Sequence, residues 1–241
     1  MSHHPTPDLG HLRASDYNNV YEPAEDTFLF LDALQKDVEF IRALRPSICL
    51  EIGSGSGCVT TFLGTLLGEQ SKALYLTTDI NPHAISATVA TGLRNGVTID
   101  ALQSDLIPPF TRPRSIDVLL FNPPYVVTPP EEVWRGYEPQ RPNTKPPSTF
   151  LGSEFGNGSN GIEASWAGGI DGREVIDRLL PQIQDALSAR GVFFMVVINE
   201  NKPEEIRSWM GSEEMGMFSS EVVLSRKAGR EGLSILKFWR T

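Results

Sequence analysis

The chain has 241 residues, of which 40% are hydrophobic and 9% aromatic, so a disordered or collagen-like chain is excluded and one folded domain is expected. Thirty acidic residues against 21 basic ones give a net charge of −9, which disfavours a protein that holds DNA or RNA through many phosphates. Two cysteines, Cys49 and Cys58, are too few for a disulfide framework or a zinc cluster, so we expect free thiols and no metal site.

The longest strongly apolar run, Val192 to Ile198, is far shorter than the about 20 residues that span a bilayer. We therefore expect a soluble cytoplasmic protein, with the nucleus left open as a second compartment. Residues 1–20 carry no hydrophobic periodicity and predict a flexible tail before a single domain over 21–241. Within that domain, a stretch rich in proline, glycine and serine at 134–161 predicts a disordered insertion.

The hydrophobic spacing predicts alternating strands and helices along the domain. In chain order these are a helix over about 24–45, a strand over 48–52, a helix over about 57–68, strand 74–78, helix 82–94, strand 97–102, strand 116–121, helix 173–189, strand 192–198, helix 203–215, and strands 217–224 and 233–239. Repeated βαβ units favour an α/β fold with a doubly wound, mostly parallel sheet of seven strands, and the last two strands predict an antiparallel hairpin.

A glycine-rich segment follows the first strand, in the order Glu-Ile-Gly-Ser-Gly-Ser-Gly-Cys from Glu51 to Cys58. Gly53 and Gly55 therefore stand at the carboxyl edge of a parallel strand, where ligands of open α/β sheets bind. The fingerprint of dinucleotide-binding folds has a glycine at the position of Cys58, so the glycine spacing here does not match that fingerprint. The alternative interpretation is a plain tight turn.

Two further acids follow the next two strands. Asp79 ends the second strand, where a carboxylate can accept both hydroxyls of a ribose, although it could instead cap the following helix. Asp105 and Leu106 follow the third strand, where an acid could accept the exocyclic amine of adenine while the apolar neighbour packs on the ring. Asp105 alone could be an ordinary turn residue. The three strand ends together favour a nucleoside site.

The fourth strand ends in Asn122-Pro123-Pro124-Tyr125. The prolines restrict the backbone, which leaves the Asn122 side-chain oxygen and the Pro123 carbonyl as acceptors, while Tyr125 offers an aromatic face. Such a set suits a planar NH2 group, because both hydrogens can be accepted while the nitrogen lone pair faces an electrophile. The alternative is a rigid turn with a capping asparagine.

These motifs together resemble the class I S-adenosylmethionine-dependent methyltransferases, and among them the group that methylates exocyclic or amide nitrogens. The stretches Val20 to Thr27 (Val-Tyr-Glu-Pro-Ala-Glu-Asp-Thr) and Gly161 to Glu174 resemble the eukaryotic branch of the HemK-type glutamine methyltransferases. That family modifies the glutamine of the Gly-Gly-Gln loop in the class 1 translation release factor. The stretch 134–161 departs from the family pattern and bears on the shape of the substrate entrance.

The resemblance implies a role for each matching residue. The methionine end of S-adenosylmethionine would be bound or lined by Thr27, Glu51, Gly53 and Gly55, the ribose by Asp79, and the adenine by Asp105 and Leu106. The substrate amide would be held by Asn122, Pro123, Pro124 and Tyr125, and Asn122 would also contact the cofactor. The catalytic residues would be Asn122, Pro123 and Tyr125. It also implies a release-factor substrate and a small zinc-binding activator subunit, without membrane or stable nucleic-acid binding.

Three other functions remain open at this stage. Asn-Pro-Pro-Tyr also binds the adenine N6 amine in DNA and RNA methyltransferases, although the negative net charge of this chain opposes that function. A protein lysine methyltransferase acting on histones would use the paired acceptors less well, because lysine has no planar amide. A non-catalytic or NAD-dependent nucleotide-binding module is opposed by Cys58 and by the tetrapeptide.

Overall fold

The structure is a computed structural model that describes residues 4–129, 162–228 and 231–240. The described residues form a seven-stranded sheet with β1 (Ile48–Ile52), β2 (Leu74–Asp79), β3 (Ile99–Gln103), β4 (Ile116–Phe121), β5 (Leu187–Ile198), β6 (Phe218–Ala228) and β7 (Glu231–Arg240). Their order in the sheet is β3-β2-β1-β4-β5-β7-β6. Strands β1 to β5 pair in parallel, and β7 is antiparallel to both β5 and β6. The predicted doubly wound sheet and its C-terminal hairpin are confirmed.

Six α-helices accompany these strands in the described residues: α1 (Glu25–Lys36), α2 (Val38–Leu44), α3 (Cys58–Leu67), α4 (Pro82–Arg94), α5 (Glu174–Ala186) and α6 (Pro203–Met210). Alternate residues of a strand point to opposite faces, so β4 contributes Val118 and Leu120 to a core shared with α1, α2 and α3. Its Leu119 and Phe121 belong to a second core with α5 and α6. Every residue of β4 is buried, which explains the lack of polar alternation in its sequence.

Several predicted boundaries are wrong. The helix predicted over 24–45 is interrupted at Asp37, whose backbone leaves the helical region and whose carboxylate accepts a 2.6 Å hydrogen bond from Lys237 Nζ. Strand β5 begins at Leu187, because this buried residue pairs with Ile116 of β4, and α5 therefore ends at Ala186. The final hairpin strands are longer than predicted, since polar residues continue the pairing. The predicted disordered insertion at 134–161 lies outside the described residues.

The N-terminal segment, predicted to be a flexible tail, contacts the C-terminal end of α4 through Asp8. Asp8 forms an ion pair with Arg94 (2.8 Å), and its backbone N–H donates to Asn95 Oδ1 (2.8 Å). Val20 is buried. Short-range periodicity could not indicate these contacts, because their partners are distant in sequence. None of the described helices combines the length and apolar character needed to cross a membrane.

Candidate active site

Four neighbouring parallel strands bring the predicted site residues to one edge of the sheet. The glycine-rich turn follows β1, and Asp79 is the last residue of β2. Asp105 lies two residues beyond β3, and Asn122 follows β4 directly. Because β3, β2, β1 and β4 are adjacent in that order, their carboxyl ends form one continuous rim. Ligands of open α/β sheets bind at such an edge.

The glycine-rich turn presents bare backbone toward this rim. Gly53 and Gly55 have φ values of +67° and +52°, which side chains rarely tolerate, and a Cβ at either position would have no atom within 4 Å. The Gly53 N–H donates to the carbonyl of Thr78 (2.7 Å), which ties the turn to the end of β2. The turn therefore leaves open space where a ligand can approach the backbone.

Asp79 is held beside this turn. Its Oδ2 accepts from the Gly55 N–H (3.0 Å), and its Oδ1 accepts from the Asn81 N–H (2.9 Å). Withdrawal from water raises the pKa of Asp79, while these backbone donors oppose the rise. The N-cap of α4 is Asn81, whose side chain accepts from the His83 N–H (2.9 Å). Asp79 is thus not the helix cap that the alternative interpretation required.

Glu51 is buried beneath the turn. Its Oε2 accepts from both the backbone N–H (3.0 Å) and the hydroxyl (2.5 Å) of Thr60, at the start of α3. Burial raises the pKa of Glu51 to about 8, and the charge of Asp79 adds to the rise, although the Thr60 bonds lower it. A cationic ligand group placed here would favour the ionised carboxylate.

Asp105 and Leu106 lie at the next strand end. Arg178 of α5 donates to Asp105 Oδ2, a partner that sequence reasoning missed because it lies 73 residues further along the chain. Leu106 is buried with a φ of +56°, and its carbonyl accepts from the Thr78 hydroxyl (3.0 Å). A bulky side chain at positive φ is unusual and marks a position that its surroundings hold in place. The pair is therefore fixed at the rim.

Asn122 and Tyr125 meet the start of α1. Asn122 Nδ2 and the Tyr125 hydroxyl both donate to Asp26 Oδ2, at 3.0 and 3.1 Å. Thr27 is buried beside them, and its backbone N–H donates to Asp26 Oδ1 (2.7 Å). The Asn122 Oδ1 atom is buried and has no partner among the described residues, a state that costs about 1–3 kcal/mol unless a ligand supplies a donor.

Asp26 is the main residue that sequence reasoning missed. Asp26 lies in the stretch Val20 to Thr27 that resembles the family, but an acid in the first turn of a predicted helix is ordinary at its positive end. The structure brings Thr27, Asn122 and Tyr125 together around its carboxylate, although Asn122 lies 96 residues away along the chain.

Residues outside Asn122–Tyr125 pack against the backbone of that tetrapeptide. A Cβ at Gly172 would lie 1.9 Å from the Tyr125 carbonyl oxygen, and one at Gly168 would lie 2.6 Å from that of Pro124. Asn201, fully buried, donates through Nδ2 to the Tyr125 carbonyl (2.9 Å). Pro123 is itself buried. The backbone after Asn122 is thus clamped by neighbours that tolerate no extra carbon atom.

The described part of the chain contains no group of three or more His, Cys, Asp or Glu side chains that could hold a metal ion. Cys49 and Cys58 are buried free thiols. Burial raises the pKa of each thiol to about 12, so neither is a nucleophile at neutral pH.

Comparison with known proteins agrees with this geometry. The family model of the methyltransferase small domain matches residues 25–133. Methyltransferase HEMK2 of Homo sapiens is 45% identical over 240 residues, which cover 98% of this chain and 97% of that protein. The eRF1 methyltransferase catalytic subunit mtq2 of Schizosaccharomyces pombe is 36% identical over 246 residues, covering 98% of this chain and 95% of that protein.

Solved structures show the same architecture. The Mtq2–Trm112 complex of E. cuniculi, described as responsible for methylation of the translation termination factor eRF1, matches with a TM-score of 0.60 and 26% identity over 92% of this chain and 99% of that chain. The T. thermophilus rRNA methyltransferase RsmC, solved with AdoMet and guanosine, matches with a TM-score of 0.57 over 92% of this chain and 44% of that one; at 17% identity it shows the fold alone. Given its identity to HEMK2 and mtq2 over almost its full length, the chain is a methyltransferase with a Rossmann-like fold and belongs to the HemK-type family.

Proposed function

We propose that this enzyme transfers a methyl group from S-adenosylmethionine to the side-chain amide nitrogen of a glutamine in the class 1 release factor. The observation that carries the proposal is the buried Asn122 Oδ1 atom, which has no partner among the described residues and lies at the rim where four strands end. Two relatives support the substrate, since mtq2 is named an eRF1 methyltransferase and a Methanocaldococcus jannaschii relative, 28% identical, is named a putative N5-glutamine methyltransferase.

The residues at the rim fit S-adenosylmethionine. Gly53 and Gly55 leave room for a ligand against the backbone, and Asp79 stands beside them as an acceptor for ribose hydroxyls. Asp105 and Leu106 would bind the adenine, while Glu51 and Thr27 would line the methionine end. When bound, this cofactor supplies a methyl group on a sulfonium, which is already an activated electrophile.

The chain's own residues would then act on the acceptor nitrogen by positioning it. An amide nitrogen is a poor nucleophile because its lone pair is delocalised, so orientation must supply most of the rate enhancement. Asn122 Oδ1 and the Pro123 carbonyl would each accept one hydrogen of the planar NH2 group, and the Tyr125 ring would lie against its face. The described rim suggests no general base. The nitrogen uses its lone pair to bond the methyl group and so becomes positively charged, and in that state it is acidic enough to release one proton to water.

The same acceptors favour an amide over a lysine. A lysine amine is tetrahedral, so a pair of acceptors built for two coplanar hydrogens matches it poorly. Adenine also carries a planar NH2 group, but a protein with a net charge of −9 lacks the surplus of cations that nucleic-acid phosphates require.

An activator subunit would bind at the open edge of the sheet. Strand β3 is an edge strand, and its Leu102 is 37% exposed. The opposite edge, β6, carries Glu221, Arg226 and Lys227, charges that discourage pairing with another chain. We therefore propose that the partner binds at β3. A partner is expected because the similar Mtq2 structure is a complex with Trm112.

A label-transfer assay tests the proposed substrate. The enzyme, purified with its activator, would be incubated with labelled S-adenosylmethionine and, separately, with release factor, histone and duplex DNA. We expect label on the release factor alone. Asn122→Ala should remove most of that label while changing cofactor affinity by no more than about threefold, because the lost acceptor serves the substrate. Label on histone or DNA in place of the release factor would contradict the proposal.

A further inference from the structure

A buried carboxylate lies at the meeting point of α1 and the tetrapeptide after β4. Asp26 is only 3% exposed. Its Oδ2 atom accepts from Asn122 Nδ2 (3.0 Å) and from the hydroxyls of Tyr125 (3.1 Å) and Tyr21 (3.2 Å). Its Oδ1 atom accepts from the backbone N–H of Thr27 (2.7 Å). The donors thus come from two distant stretches of the chain, residues 21–27 and 122–125, and converge on one side chain.

This carboxylate determines which end of the Asn122 amide faces the site. Asp26 accepts every one of these hydrogen bonds, so Asn122 directs its NH2 group toward Asp26. The oxygen at the other end, Oδ1, then points away from Asp26 and stays without a partner among the described residues. A hydrogen bond donated by an amide NH2 group also polarises the amide and makes its oxygen a better acceptor.

We propose that Asp26 is a positioning residue, which holds Asn122 so that its side-chain oxygen, and not its NH2 group, meets the hydrogens of the substrate amide. The inference rests on the proposed function, since it assigns Oδ1 to the substrate. The same carboxylate fixes the Tyr125 hydroxyl and with it the plane of the ring. Without Asp26, the amide could turn over and present two donors to a substrate that also donates.

The direct test is Asp26→Asn, which keeps the size and an acceptor oxygen but adds an NH2 group. Asn122 can then bond to either end of the new amide and loses its fixed orientation. We expect kcat for methyl transfer to fall by about 10- to 150-fold, the range for one hydrogen bond to a charged group. The affinity for S-adenosylmethionine should stay within about threefold. Glu25→Gln is the matched control: it makes the same change of charge one residue away, on a side chain that is 64% exposed, and should leave kcat unchanged.

A double-mutant cycle separates positioning from a general structural role. In the Asn122→Ala background the group that Asp26 positions is absent, so Asp26→Asn should lower the remaining rate by less than about threefold. A loss of equal size in both backgrounds would overturn the inference, as would an unchanged kcat in the single variant. If wild-type enzyme does not methylate glutamine at all, the proposed function fails instead, and the two failures are thereby distinguished.

One measurement needs no variant, in case Asp26→Asn does not fold. In the wild-type protein the side-chain NH2 protons of Asn122 should exchange with deuterium slowly, because one of them is bonded to a buried carboxylate. Nuclear magnetic resonance of the enzyme–activator complex would follow that signal. Exchange as fast as that of an exposed asparagine would overturn the inference.

Discussion

Glu51 shows how burial of an acidic side chain affects folding. Its pKa is raised to about 8, above the ordinary 4.5 of a glutamic acid, because burial penalises the charged form. A raised pKa in the folded state means that folding favours the protonated form. This contribution to stability is complete below about pH 4.5 and is lost as the pH rises through about 8.

Substitution of Glu51 by glutamine should therefore remove a pH-dependent loss of stability. We expect Glu51→Gln to gain stability over the wild type as the pH is raised from about 6 to about 8, by up to about 1.4 kcal/mol per pH unit. Urea unfolding of the ligand-free protein at several pH values measures this difference. Glu39→Gln, at a side chain that is 74% exposed, is the charge-matched control. Parallel stability curves for wild type and Glu51→Gln would show that Glu51 is not held protonated.

Asp79 offers a second prediction for a single residue. Asp79→Ala removes the acceptor beside the glycine-rich turn and should weaken S-adenosylmethionine binding by about 10- to 150-fold, the range for hydrogen bonds to a charged group. Titration calorimetry measures the dissociation constant. Asp100→Ala removes the same charge from an exposed position on neighbouring β3 and should leave it unchanged. Equal affinity in wild type and Asp79→Ala would remove this residue from the ribose site.

Residues at strand ends could be predicted from the sequence, whereas their partners could not. Asp79 and Asn122 each stand at the carboxyl end of a strand predicted to be parallel, so their common edge follows from the pattern alone. Asp26 and Arg178 reach the same edge from helices, and helix periodicity does not tell where a helix end docks. Tertiary contacts over 73 to 96 residues decide those positions.

The last glycine of the glycine-rich turn allows α4 to pack closely against the start of α3. A Cβ at Gly57, where φ is +75°, would lie 2.7 Å from the Thr88 Cα atom. The sequence predicts a glycine-rich segment that a ligand can approach, but the facing backbone of α4 could not be inferred from spacing. Contacts distant in sequence also explain the wrong boundaries. For example, β5 starts at Leu187 because this residue pairs with Ile116 of β4.

Two glycine substitutions separate strain from collision. Gly57→Ala and Gly96→Ala both force alanine into positive φ, which costs about 1–2 kcal/mol, but a Cβ at Gly96 would have no neighbour within 4 Å. We expect Gly57→Ala to lower the free energy of unfolding by about 1–3 kcal/mol more than Gly96→Ala, because backbone must move. Chemical denaturation measures both. Equal losses would mean that α4 does not pack against the turn.

The two edges of the sheet are proposed to differ in whether they bind the activator. Leu102 on β3 is 37% exposed and Val222 on β6 is 42% exposed, so exposure alone does not separate them. We expect Leu102→Lys to weaken binding of the activator by at least about tenfold, whereas Val222→Lys should not, because only β3 is proposed to receive the partner. Co-purification and titration of the two subunits measure this. If only Val222→Lys weakens binding, the activator binds at β6 and the proposed interface on β3 is wrong.

The proposed reaction adds one methyl group to a glutamine amide of the release factor. The most direct measurement is fragmentation mass spectrometry of release factor after incubation with the enzyme, its activator and S-adenosylmethionine. Glycine neighbours matter because a side-chain nitrogen must enter a recessed rim without colliding through its flanks. We predict the mass of one added CH2 group on the glutamine of the glycine-flanked loop, absent when that glutamine is changed to asparagine, whose amide is one methylene shorter. The added mass on a lysine, or on adenine in a DNA control, would contradict the claim.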